Sequence, residues 1–398
     1  MGPRQAGKTT IMLELKKLLD EKGRKTLFLS LDNEADKVHF SSQSNLIEKI
    51  ETEIGKVKGF VFLDEVQRKE NAGIFFKGIY DMNLPYKFIM SGSGSMELKE
   101  KIHESLAGRK RVFEITTLNF EEFSNFKTNY KYEDRIVKYL NIEKVKEESL
   151  LKEYLNFGGY PKVVLEETLK EKQRVINEIY QSYLEKDISY LLGIKKTSDF
   201  SNLVRILSSQ VGNLINFSEI SNTLEINIKT VKNYIYYLEK TFIIKKITPF
   251  FRNVRSEISK TPIFYFTDLG LRNFAAQIFG NITLNPQVGF IFQNFVFNLL
   301  SEFSRETFTP LYFWRTKHGS EVDFVLEKAL NPFPIEVKYK KLKKPEISRS
   351  LRSFVEKYKP EKAVIVNLSL ETKIKINTTE VFFLPYFKLH SLLYKSFA

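Results

Sequence analysis

The sequence predicts an α/β fold built in several parts, and three observations carry that prediction. The chain opens on "GPRQAGKTT", a glycine-rich loop that runs straight into an amphipathic helix. Short apolar runs at 26–33, 59–64 and 87–90 then alternate with helical patterns, the order of a parallel sheet covered by helices. Beyond residue 200, a helix–helix–strand–strand grammar and a late hairpin bearing acids and lysines mark further units.

The composition of the 398 residues, 42% hydrophobic and 28% charged with 35 phenylalanines and 19 tyrosines, is that of a globular chain with large cores. No apolar run reaches the roughly 18 residues that crossing a bilayer requires. Lysine and glycines stand where a signal peptide would be apolar. Zero cysteines exclude disulfides, thiolate metal sites and cysteine nucleophiles. The expectation is a soluble, cytoplasmic protein with no membrane partner. A net charge of +14 favours an anionic partner, DNA before membrane, against the plainer account of a lysine-rich surface kept for solubility.

Gly2-Pro3-Arg4-Gln5-Ala6-Gly7-Lys8-Thr9 fits G-x-x-x-x-G-K-[ST] at every fixed position. Ile11, Met12, Leu15, Leu18 and Leu19 recur at helical spacing after it, and Gly23 is placed to end the helix. Backbone N–H groups from Gly2 to Thr10 are therefore expected to wrap the phosphates of ATP at a helix N-terminus. Lys8 would reach the β- and γ-phosphates, and the Thr9 hydroxyl would ligate Mg²⁺. Such a loop is normally delivered by a buried strand, and here only Met1 precedes Gly2. The expectation is a sheet whose first strand is missing as written, and a native chain extending upstream by about 15–35 residues.

"GFVFLDEVQR" (59–68) reads as a buried strand ending on adjacent acids. Asp64 would hold the Mg²⁺ shell and Glu65 would polarise the attacking water. "KFIMSGSGS" (87–95) is a third strand with Ser91 and Ser93 as sensors of the γ-phosphate, against an ordinary polar turn. Arg109, in the basic cluster before a last strand at Val112–Thr116, could stabilise charge on the transferring phosphoryl group or be a solvated turn residue.

Residues 124–195 have helical periodicity interrupted at Gly158-Gly159-Tyr160-Pro161, a helical lid beside the ATP site. From 203 to 253 the pattern is a winged helix-turn-helix: helices at 203–211 and 218–224, Asn227 capping a third, then strands at 242–248 and 262–267. Lys229, Lys232 and Asn233, with Thr230 and Tyr236, would face DNA, and Lys245, Lys246, Arg252 and Arg255 would lie near phosphates. The alternative is a structural or protein-docking module. In "EVDFVLEKALNPFPIEVKYKK" (321–341) two strands flank a turn at Asn331-Pro332. Asp323 precedes Glu336 by thirteen residues, and Glu336 and Lys338 project from one strand face. His318, one of four histidines, is expected as a loop residue rather than a ligand. The expected parts are an ATPase core at 1–125, a helical connector at 126–198, the winged helix at 199–275 and a C-terminal α/β domain at 276–398.

"GPRQAGKTT", "FLDEVQR", "SGS" and "LAGR" in this order resemble the prokaryotic AAA-type ATPases of the P-loop superclass whose core is followed by a C-terminal domain of unknown function, family 4143 type. "NFGGYPKVV", "EKDISYLLGI" and "FWRTKHGSEVDFVLE…PIEVK" resemble landmarks of that second part. The resemblance implies ATP binding and hydrolysis with Mg²⁺. The Asp323…Glu336-x-Lys338 arrangement resembles the restriction-endonuclease-like core, in which two carboxylates hold Mg²⁺ and the lysine orients or activates water. Gln293 stands where the related sequences carry Glu, and an amide is the weaker ligand. An active nuclease is therefore not the expectation. The expected function is an ATP-driven switch or motor, with DNA, an unknown protein partner and an oligomer left open. The alternatives are a DNA-binding module gated by nucleotide, and a metal-dependent nuclease with a degenerate site.

Overall fold

Three parallel strands organise the N-terminal part: β1 (Lys25–Ser30), β2 (Gly59–Asp64) and β3 (Tyr86–Met90), in the order β1-β2-β3. The computed structural model describes residues 1–92, 108–184, 198–251, 261–282 and 286–397. β2 is central because Val61, Phe62 and Leu63 are apolar on both faces and wholly buried. Around it run α1 (Lys8–Glu21), α2 (Glu34–Lys37), α3 (Gln43–Ile54) and α4 (Ala72–Asp81). α3 starts where the Ser42 hydroxyl accepts from Asn45 N–H, and it buries Leu46, Ile50 and Ile54 at i, i+4 and i+8. Because the strands are parallel, their carboxyl ends share one edge, where Asp64 and the glycine-rich loop meet.

The strand expected at Val112–Thr116 does not form. The Met1 amino group donates to Phe113 O at 2.6 Å and Ile115 N–H donates to Met1 O at 2.7 Å, and pairing with one residue does not make a ladder. Among the described residues, β3 pairs with β2 alone.

The connector is helical: α5 (Phe120–Lys127), α6 (Ile136–Ile142), α7 (Lys144–Phe157), α8 (Pro161–Leu165) and α9 (Leu169–Ser182). Asn119 and Glu122 form a reciprocal cap on α5. α10 (Ser198–Ser209), α11 (Phe217–Leu224) and α12 (Ile228–Lys240) follow. Glu225 in the left-handed region turns the chain between α11 and α12, and the Asn227 side chain caps the latter. β4 (Ile244–Pro249) and β5 (Ile263–Phe266) form an antiparallel pair.

Next come α13 (Leu269–Ala275), α14 (Val288–Thr307), β6 (Leu311–Arg315), β7 (Glu321–Lys328), β8 (Asn331–Val337), α15 (Arg349–Tyr358), β9 (Lys362–Asn367), β10 (Thr372–Ile376), β11 (Thr379–Pro385) and α16 (Leu389–Phe397). The expected boundary at 275/276 does not divide the sheet. β4 pairs in parallel with β6 through Thr248–Tyr312 and Pro249–Phe313, giving one eight-stranded sheet, β10-β11-β9-β8-β7-β6-β4-β5. The β7–β8 turn also differs from expectation: Ala329 and Leu330, both at positive φ, make it, and Asn331-Pro332 belong to β8. Among the described residues, no helix is long and apolar enough to cross a membrane.

Asp268, 2% exposed, ties these parts together. It accepts from Leu271 N–H at 2.9 Å, capping α13, and from Gly159 N–H at 2.8 Å. Thr117 and Gly270 also donate to it, and these bonds oppose the rise in pKa that burial imposes. Gly159 lies so close to Leu118 that a Cβ would stand 2.0 Å from the Leu118 carbonyl oxygen. On the other side of this loop, Pro161 is 4.0 Å from where a Cβ of Gly7 would be. Replacing Asp268 by Ala leaves several buried donors without an acceptor. The expected loss is about 3 kcal/mol or more of unfolding free energy, read from the midpoint of a urea titration.

Candidate nucleotide site

The glycine-rich loop ends on Gly7, whose φ of 90° only glycine adopts freely and which is the N-cap of α1. No side chain caps this helix start and no acid stands in its first turn, so its N–H groups and dipole face outward as an anion site. Gly2 is needed for space, since a Cβ there would meet Ile115 O at 1.9 Å. Pro3 and Ala6 are buried, Arg4 and Gln5 half-buried, and Thr10 exposed. The buried Lys8 ammonium lies over its own loop, donating to Gly2 O at 3.1 Å and Pro3 O at 2.7 Å.

Asp64 is the meeting point. Thr9 Oγ1 donates to its Oδ2 at 2.9 Å, and Ser91 Oγ donates to its Oδ1. Residues from α1, β2 and the end of β3 thus converge on one carboxylate. The Thr9 hydroxyl and the Asp64 carboxylate are hard oxygen donors side by side, a set that suits Mg²⁺.

Glu65 leaves the strand in the left-handed region, φ 54° and ψ 40°, and its N–H points to Ser91 Oγ at 3.4 Å. The twist begins the 3₁₀ turn Val66–Arg68 and takes the Glu65 carboxylate out of the strand's alternation. Burial raises its pKa above the ordinary value, opposed by Lys8, reinforced by Asp32 and Asp64, and opposed by Arg4. Gln67 donates from Nε2 to Glu65 Oε2, and its own Oε1 is buried with no partner. Sequence reasoning missed Gln67. It lies inside "FLDEVQR", but only the turn at Glu65 brings the two side chains together.

Arg109 is not at this site. It pairs with Asp81 at 3.2 Å and lies over the Tyr80 ring, at the end of α4 that leads back to the start of β3. That is the edge of the sheet opposite Asp64. Ser93 lies outside the described residues.

The acids of the C-terminal sheet do not form an open metal centre. Gln293 Nε2 donates to Asp323 Oδ1 at 2.8 Å and Val337 N–H to Oδ2 at 2.7 Å. Ser348 Oγ donates to Glu336 Oε2 at 2.7 Å, and Lys338 pairs with Oε1 at 2.6 Å. Each carboxylate oxygen already has a protein donor. Burial pushes the Asp323 pKa up to about 7, opposed by Val337 N–H, with Glu336 adding to the rise, Lys338 opposing it and Glu321 adding. Burial pulls Lys338 down, but the hydrogen bond and charge of Glu336, with Asp323, leave it above its ordinary value.

On α12, Lys229, Lys232, Asn233 and Tyr236 are exposed on one face, while Val231, Tyr234, Ile235 and Leu238 are buried. Lys245 is not free for phosphate: it pairs with Glu114 at 3.0 Å, which Arg305 also contacts at 3.2 Å. Arg252 and Arg255 lie outside the described residues.

Residues 1–124 match the AAA domain family, and residues 288–387 match a domain of unknown function (DUF4143). The chain is an AAA-domain protein with a C-terminal DUF4143 domain. Between the two, residues 148–281 of this AAA-domain chain match another domain of unknown function (DUF8612). An uncharacterized protein of Mycobacterium tuberculosis is 25% identical over 356 residues, 88% of this chain and 72% of that protein. One of Methanocaldococcus jannaschii is 28% identical over 380 residues, 93% of this chain and 80% of that protein. One of Haemophilus influenzae is 26% identical over 288 residues, 69% of this chain and 68% of that protein.

The raised pKa of Asp323 has a measurable sign. Between about pH 4 and pH 7 the folded chain holds a proton that the unfolded chain gives up, so Asp323 makes stability fall as pH rises through that window. Urea titrations at a series of pH values should show this decline, and Asp323→Asn should flatten it.

Proposed function

We propose that this chain is a Mg²⁺-dependent ATPase whose nucleotide cycle works as a switch or motor on the parts that follow. The observation that carries it is the convergence of the Thr9 and Ser91 hydroxyls on Asp64, beside Glu65 and the uncapped start of α1. The loop amides would cradle the phosphates, and Lys8 would exchange the Gly2 and Pro3 carbonyls for phosphate oxygens. Thr9 and Asp64 would hold Mg²⁺, which when bound neutralises charge on the phosphate oxygens. Glu65, made more basic by burial, takes a proton from water as its oxygen bonds to the γ-phosphorus and the bond to the β-phosphate oxygen breaks, leaving ADP and phosphate. The nearness of Pro161 to Gly7, 4.0 Å from where a Cβ would stand, and the bond of Gly159 N–H to Asp268 would give the loop a route to α13.

Lys8→Ala should weaken ATP binding at least about tenfold, and Glu65→Gln should cut kcat about 100-fold while ATP still binds. Undiminished turnover in either variant rejects the ATPase. In the wild type, kcat should rise with pH through a pKa above the ordinary glutamate value, and Glu65→Gln should abolish that limb.

A second reading is favoured by the exposed face of α12. With α11 and α12 as a helix-turn-helix and β4–β5 as its wing, Lys229, Lys232, Asn233 and Tyr236 would meet DNA. The excess of 62 basic over 48 acidic residues supports it. Duplex affinity should then fall steeply with salt, and Lys229→Ala with Lys232→Ala should reduce the slope by about 2. Binding with no salt dependence, or none at low salt, removes this reading. An ATPase assay with and without DNA joins the two.

A further inference from the structure

We infer that Gln67 is a positioning residue for hydrolysis: it aims the Glu65 carboxylate and offers its amide oxygen to a hydrogen of the attacking water. This rests on the ATPase reading of the same site and adds a role that the loop and strand motifs do not contain.

Two independent features of one side chain point to it. The first is the bond from Gln67 Nε2 to Glu65 Oε2, the one side-chain hydrogen bond of that carboxylate among the described residues. A glutamate side chain has three rotatable bonds, and a single donor restricts them. That donor is itself held in place, because Val66 between the two residues is 1% exposed and its N–H is bonded to Ser91 O at 3.1 Å. The left-handed backbone of Glu65 then sets both side chains on one side of the turn. The strain is local, the kind that functional sites retain.

The second feature is the Gln67 Oε1 atom, buried and without a hydrogen-bond partner among the described residues. Flipping the amide would not relieve it, since that would turn an oxygen toward the Glu65 carboxylate. A buried acceptor without a donor calls for a donor that arrives with a ligand or a water. It sits on the amide already bonded to Glu65, so one water can give one hydrogen to Glu65 and the other to Gln67. A water held at both hydrogens presents its lone pair in a fixed direction, and orientation of this kind lowers a barrier without changing how tightly nucleotide binds.

The test uses the full-length chain, with ATP turnover and the affinity of a non-hydrolysable ATP analogue both measured in wild type, Gln67→Ala, Gln67→Asn, Glu65→Gln and the Gln67→Ala/Glu65→Gln pair. Gln67→Ala should lower kcat about 10–100-fold, with KM and analogue affinity within about threefold of wild type and an unchanged melting temperature. Gln67→Asn, which keeps the amide but shortens its reach, should recover part of that loss. The pair should be no slower than Glu65→Gln alone, because the orientation that Gln67 gives the water counts only when Glu65 takes its proton. Wild-type kcat in Gln67→Ala overturns the inference, as does a loss confined to KM and affinity, or losses that multiply in the pair. When wild type hydrolyses ATP and Glu65→Gln does not, those outcomes reject Gln67 alone. A wild type that binds the analogue but does not hydrolyse ATP rejects the ATPase and this role with it.

Discussion

A single buried carboxylate, Asp268, decides how the two halves of this molecule meet. The chain leaves the N-terminal sheet through 117–118 and breaks helix at Gly158-Gly159, and both segments carry backbone polar groups into the interior. Buried amides need acceptors. Asp268 supplies them at Gly159 and at the start of α13, and Leu118 and Gly159 bond each other at 2.9 Å. The glycines are then required by distance, since side chains at 159 or 270 would collide with backbone at 2.0 Å. Burial works against the carboxylate's charge, and the donors around it work in favour; the arrangement holds because there are several of them. From this clasp the loop goes on through Tyr160 to Pro161, whose ring is 4.0 Å from where a Cβ of Gly7 would stand.

Asp64 plays the corresponding part within the AAA domain. It ends the one strand that is covered on both faces, so its position is fixed by packing and not by its own bonds. Two hydroxyls from different elements then find it, and the chain must turn sharply at Glu65 to leave. Chemistry and fold therefore share a cause: a fully apolar run that stops on an acid.

Much of this was legible in the sequence, for physical reasons that differ by element. The loop, β2 and the helices of the connector are local: glycine conformations, continuous apolar runs and i, i+4 stripes specify them without distant partners. Gly158-Gly159-Tyr160-Pro161 announced a break, though not that Asp268, over a hundred residues later, would fill it. The strand at Val112–Thr116 misled because a run of residues says what a segment can do, whereas a ladder also requires a neighbour, and among the described residues only Met1 pairs with it in this way. For Arg109, charge and order in the chain do not reveal the pairing with Asp81 at the end of α4. Asp323, Glu336 and Lys338 did come together as their spacing suggested. What spacing could not show is that Gln293, Ser348 and Val337 N–H would take up their oxygens.

The pairing of β4 with both β5 and β6 has a mechanical consequence. A strand that gives its first four residues to one neighbour and its last two to another is a splice, and bending at a splice breaks two ladders at once. The bundle of α10 to α12 and the C-terminal sheet are thus geared to turn together. Compliance has to be sought upstream, where Glu114 reaches across to Lys245 and Arg305 through side chains alone. Such partly exposed ionic struts cost little to break, so this contact binds the N-terminal part more loosely than the buried clasp at Asp268 does.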